Sequence, residues 1–136
     1  MTAVEIVEQL NAHQPQFLIA LGGLMLVQLL VADVVGIQNK HAPGSSVEAD
    51  HSNLLFRVTR TVANTNESIA VFIILLLACF FSGANAGYTA IAAWVFVAAR
   101  LGYMVCYYGN LQLLRSTVFG VALLSVLALL LIALFT

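Results

Sequence analysis

Residues 57–67 read RVTRTVANTNE, and residues 69–81, IAVFIILLLACFF, follow with no charged side chain among them. At 1.5 Å per residue that apolar run makes only about 20 Å of helix, whereas a hydrocarbon core is about 30 Å thick. A helix through this stretch therefore spans a membrane only if Asn64 and Glu67 lie at membrane depth, with Arg60 near the interface. At about 100° per residue, Arg57, Arg60, Asn64 and Glu67 share an arc of about 80°. Asn53 extends this polar stripe by one turn.

The rest of the chain agrees with a membrane solvent. Of its 136 residues 62 % are apolar and 8 % charged, against roughly 25 % charged in a soluble domain. Four spans of about 20 residues each use most of the chain, which predicts one all-α, four-helix integral membrane bundle over residues 1–136. The spans are expected at about 17–37, 52–81, 88–108 and 116–135. Residues 1–15 read as a polar lead-in ending at Pro15, with Glu5 and Glu8 and no basic residue, unlike a cleavable secretory signal. Pro43, Gly44, Ser45 and Ser46 mark a loop over 39–50, residues 82–87 (SGANAG) a tight turn, and Gly109 with Asn110 a short loop. A net charge of −1 and no basic run argue against nucleic acid. Cys79 and Cys106 lie in apolar stretches and read as packing residues, not a disulfide. His41 and His51 are too isolated to indicate a metal site, and His13 belongs to the other side.

Four spans put both termini on one side and the 38–52 and 109–115 loops on the other. Lys40, Arg57, Arg60 and Arg115 all lie at or near that second side, and Arg100 is nearer to it than to the first. The positive-inside rule makes it cytoplasmic and the termini periplasmic or lumenal.

The third span repeats the stripe: Arg100, Tyr103, Tyr107 and Asn110 have the offsets of Arg57, Arg60, Asn64 and Glu67. The two helices are antiparallel about a short turn, so residues equally far from it lie at equal depth. Glu67 is thereby expected level with Arg100, Asn64 with Tyr103 and Arg60 with Tyr107. Unpaired charge at this depth costs several kcal/mol, so Glu67 and Arg100 are each expected to pair with something. A buried ion pair fixing helix register accounts for those two alone. It leaves Arg57, Arg60, Arg115 and Lys40 in excess, a surplus that suits a polar anion with several carboxylates. Asp33 is read as a partner for one of the arginines, and Gln28 as an interhelical hydrogen-bonding residue.

Arg57-Val-Thr-Arg60-Thr-Val-Ala-Asn64-Thr-Asn-Glu67, followed by Ala-Arg100-Leu-Gly-Tyr103 and Tyr107, resembles the MAPEG family, the membrane-associated proteins in eicosanoid and glutathione metabolism. The resemblance runs over nearly the whole chain in span order and loop length. It implies a four-helix subunit in a homotrimer, with glutathione held between neighbouring subunits near the cytosolic face. By position, Arg60, Asn64, Glu67, Tyr103 and Tyr107 resemble the family's glutathione-holding set, with Arg57 on the same stripe. Arg100 resembles its inner support, and Lys40 a basic position at the end of the first span. Arg115 resembles the thiol-activating arginine, with the Ser116 hydroxyl and the N-terminus of the fourth helix beside it. The resemblance thus implies a glutathione transferase or peroxidase acting on lipophilic electrophiles or lipid hydroperoxides that arrive from the bilayer. Phe119, near where prostaglandin-forming members carry tyrosine, points away from eicosanoid chemistry. Minimal loops resemble those of bacterial members, which implies an inner-membrane location and a role in detoxification. The alternative within the same fold is a non-catalytic lipid-binding protein. A small four-helix multidrug exporter, whose class carries its acid deep in the first span, fits less well, because Asp33 lies near the end of that span.

Overall fold

The computed structural model describes residues 1–5, 8 and 16–136. Most of the expected polar lead-in, His13 and Pro15 included, lies outside the described residues. Among those residues all regular structure is helical, and four helices are long and apolar enough to cross a membrane. They are α1 (Gln16–Gln38), α2 (Leu54–Phe81), α3 (Ala86–Tyr108) and α4 (Gln112–Leu134). Helices of 23 or 28 residues are about 34 to 42 Å long, enough to cross the hydrocarbon.

Each turn between helices is closed in the same way. The residue after the C-cap adopts a left-handed conformation: Lys40 (φ 54°), Gly83 (φ 69°) and Asn110 (φ 58°). The next N–H then returns to a helical carbonyl, from His41 to Gly36, from Ala84 to Cys79 and from Leu111 to Cys106, at 2.8 to 3.0 Å. These are Schellman closures, which satisfy carbonyls that a helix end otherwise leaves open. Gly83 takes this conformation without a Cβ penalty. Asn53 and Asn85 cap the following helices through their side-chain oxygens.

These closures shift the expected boundaries. The third turn occupies only 109–111, so α4 begins at Gln112 and Arg115 lies inside its first turn, not in the loop expected over 109–115. The Arg115 N–H already bonds to the Leu111 carbonyl at 2.9 Å.

Helices α2 and α3 are the central elements. Each packs on the other three, whereas α1 and α4 do not touch. Buried Ala92, Ala93 and Ala99 give α3 a small-residue surface, and Gly102 sits where a Cβ would lie 3.4 Å from Val118. Small residues let backbones approach in a medium where burial against lipid provides little driving force. Phe72 of α2 stacks on Phe96 of α3 with centroids 4.2 Å apart. Cys79 is buried and donates to the Leu129 carbonyl at 3.3 Å, so it is a packing residue.

Candidate functional site

The buried stripe of α2 runs through Val58, Thr61, Thr65, Phe72 and Leu76. Arg57 and Asn64 lie on its flank, and Arg60 and Glu67 about 130–150° away from it. The polar ladder therefore turns away from the subunit's own core. Glu67 accepts from Arg60 Nη1 at 2.9 Å and from Nη2 at 3.4 Å, both donors on its own helix. This is the one ion pair among the described residues, with side chains 38 % and 58 % exposed.

Arg100 is fully buried and does not pair with Glu67. Its Nη2 donates to Asn64 Oδ1 at 2.7 Å and to Thr65 Oγ1 at 3.1 Å. Its Cζ lies 4.5 Å over the Tyr103 ring, and Nε and Nη1 have no hydrogen-bond partner among the described residues. Each charge thus has partners, Arg60 for Glu67 and Asn64 with Thr65 for Arg100, and the alternative of an ion pair between the two does not form among the described residues. The reason is side-chain direction: equal depth levels the Cα atoms but does not set which way the long side chains lean. The guanidinium accordingly leans one turn toward the loops, where Asn64 and Thr65 offer oxygens.

Asn64 links Arg100 to the Arg60–Glu67 pair. Its Oδ1 faces Arg100, while Nδ2 lies 3.5 Å from Glu67 Oε2. Across from it, Tyr103 and Tyr107 meet edge to face at 5.5 Å, and Tyr103 leans on Phe119 at 6.3 Å. The Arg115 guanidinium lies 4.5 Å over the Tyr107 ring. A cation over an aromatic face is held by the ring quadrupole without using its N–H donors. Ser116 donates its hydroxyl to the Gln112 carbonyl at 3.1 Å, which commits its proton within the helix.

Together these side chains wall a cavity of 290 Å³. Arg60 and Asn64 come from α2, Tyr103 and Tyr107 from α3, and Arg115, Ser116 and Phe119 from α4. The remaining wall is His51, which precedes α2 and which the sequence reading set aside. Its ring stacks on Tyr107 at 5.8 Å, and Nδ1 is 3.4 Å from the phenol oxygen. A loop residue has no helical period to betray it, so no pattern in the sequence marks it.

Two other expected site residues are placed elsewhere. Arg57 donates to the carbonyls of His51 at 2.8 Å and Tyr108 at 3.3 Å, tying the loop to the end of α3. Lys40 is exposed at the left-handed position after α1 and does not line the cavity. Asp50 accepts from the Ser52 hydroxyl at 2.6 Å and the Ser52 N–H at 3.0 Å. Those bonds, the hydroxyl first, hold its carboxyl below the usual range.

A larger cavity of 770 Å³ lies on the other side of Arg60, between α1, its loop and α2. Asp33 lines it, exposed and in no ion pair, so it does not partner an arginine as expected. Gln28 is buried, and its amide nitrogen has no hydrogen-bond partner among the described residues.

The cavity offers guanidinium, amide and phenol donors, with the Glu67 carboxylate beside it on Arg60, a set suited to a small polar molecule with several carboxylates and an ammonium group. A sequence model of the MAPEG family matches residues 16–135. No curated protein matches the chain.

Proposed function

The chain is an integral membrane protein that belongs to the MAPEG family, and on that premise we propose that it is a glutathione transferase or peroxidase acting on lipophilic substrates. The observation that carries this reading is the convergence of Arg60, Asn64, Tyr103, Tyr107 and Arg115 from three helices on one cavity, with Glu67 beside it. The donor set fits glutathione. Arg60, Asn64 and Tyr103 meet its carboxylates and peptide carbonyls, Glu67 its ammonium group, and Arg115 its thiol.

When bound, glutathione supplies a thiol sulfur that either displaces a leaving group from an apolar electrophile or, together with a second glutathione, reduces a lipid hydroperoxide to the alcohol and water with formation of glutathione disulfide. The protein's part is to bind, orient and tune that group. Arg100, buried behind Asn64 and Tyr103, fixes the amide and the ring from within. Arg115 stands ready to favour the thiolate, its guanidinium held by the Tyr107 face while its N–H donors remain open. The first turn of α4, which has no side-chain cap, adds the positive end of its dipole. Because the Ser116 proton is committed to Gln112, Arg115 carries the larger share of this role.

The site in one subunit is half a site. A charged pair turned away from the subunit core at membrane depth is expensive against lipid, so the Arg60–Glu67 face is read as covered by a second copy. That supports a homotrimer with the ligand between subunits. The basic residues gathered toward the loop end support a site open to the cytoplasm with the termini periplasmic, and the short loops a bacterial inner membrane. Calorimetric titration of the detergent-solubilised protein with glutathione, beside Glu67→Gln, tests the reading. Saturable binding to the parent that is lost in the variant supports it, and binding to neither overturns it.

A further inference from the structure

We infer that His51 contacts the ligand directly, binding one of its carboxylates from the loop side of the cavity; this rests on the reading of that cavity as a glutathione site. The imidazole has a fixed position but incomplete bonding. Its main chain is pinned by Arg57, which donates to the His51 carbonyl at 2.8 Å, and by the Asp50–Ser52 turn beside it. The Phe56 ring meets it edge-on at 5.1 Å, and Tyr107 stacks on it at 5.8 Å.

Its hydrogen bonding is unfinished. The Nδ1 contact with the Tyr107 hydroxyl is 3.4 Å, long for a bond that such groups make at about 2.8 Å. Nε2 has no partner among the described residues. A ring serving only to pack the loop would be buried, whereas His51 is exposed and lines the cavity.

The other donors explain why the site calls on it. Arg60 is engaged by Glu67, Arg100 by Asn64 and Thr65, and Arg57 by two backbone carbonyls. Among the described residues lining the cavity, Arg115 is the guanidinium without a hydrogen-bonded partner. With Arg115 assigned to the thiol and Arg60 shared with Glu67, a ligand with more than one carboxylate needs a further donor group, and the imidazole, like Arg115, lies against the Tyr107 ring.

Glutathione titration of the parent, His51→Ala and His51→Gln, each as the full chain in detergent, gives the test. The expected result is an affinity about tenfold lower in His51→Ala, the size of a hydrogen bond to a charged group, with most of it restored in His51→Gln. In the parent, the His51 ring resonance, assigned by its absence from His51→Gln, should shift with glutathione at the affinity that calorimetry gives. Parent binding that His51→Ala leaves within about twofold, or a ring resonance that glutathione does not move, overturns this inference alone. No binding to the parent overturns the reading of the cavity and this inference with it.

Discussion

The buried Arg100 guanidinium donates to the Asn64 amide oxygen at 2.7 Å, and that bond decides which end of the amide faces outward. With Oδ1 taken, Nδ2 is left on the Glu67 side at 3.5 Å, so Asn64 presents a donor beside the only carboxylate of the ladder. A residue buried behind the cavity thereby sets the polarity of a residue in its wall.

Asn64→Ala removes that acceptor and leaves Arg100 with Thr65 alone. The expected cost is about 2–4 kcal/mol, because a buried charge loses its best partner. Asn64→Asp keeps an acceptor and adds a counter-charge. It should unfold near the parent temperature yet bind glutathione at least tenfold more weakly, since the outward donor is gone. Thermal unfolding in detergent and calorimetric titration separate the two outcomes. Equal stability of Asn64→Ala and the parent would show that Arg100 does not depend on the amide.

The Arg57 clamp makes a different prediction. Its guanidinium joins the His51 and Tyr108 carbonyls, a two-point bridge that a lysine cannot reproduce. Arg57→Ala and Arg57→Lys should each lose about 2 kcal/mol of stability, the range of one or two charge-assisted bonds. Amide exchange should accelerate at Ser52 and Asn53, whose N–H groups bond back to Asp50. Unchanged exchange there would remove the clamp role.

What was legible in the sequence was whatever repeats with the helix. Four apolar spans, the Arg60-Asn64-Glu67 stripe and its counterpart Tyr103-Tyr107 follow from a period of about 3.6 residues. Two kinds of feature were not legible. Depth matching levels Cα atoms and is silent on which way a long side chain leans, so Glu67 was set opposite Arg100 when its partner is Arg60. The turns were readable where Gly83 marks a left-handed residue, but Lys40 and Asn110 take the same conformation without that sign. Because the third turn closes so tightly, α4 starts early and carries Arg115 back over Tyr107.

Lys40 offers a test of the turn. A lysine at φ 54° carries a left-handed penalty of about 1 kcal/mol that glycine lacks. Lys40→Gly should therefore raise stability by up to about 1 kcal/mol. It should leave glutathione binding unchanged, since the side chain does not line the cavity. A loss of affinity in this variant would return Lys40 to the ligand-binding set.

The Arg115 prediction is read against pH. A free thiol ionises near about 8.5, and lowering that value by about 2 units takes about 2.7 kcal/mol of preference for the anion. If Arg115 supplies it, bound glutathione is about three-quarters thiolate at pH 7 in the parent and about 3 % thiolate in Arg115→Ala. Turnover should then fall about 25-fold at pH 7 and recover to within about twofold of the parent near pH 9, where both are ionised. Binding should change far less, because Arg60, Asn64 and Tyr103 remain in the wall. Arg115→Lys keeps the charge but loses the flat seat on Tyr107, 4.5 Å away, and should lie between the two. Rate profiles from pH 6 to 9 with a lipophilic electrophile, alongside the ultraviolet absorbance of the bound thiolate, measure both quantities. A parallel loss at every pH would mean that Arg115 positions the substrate and does not tune the thiol, and an unchanged profile would remove it from the chemistry.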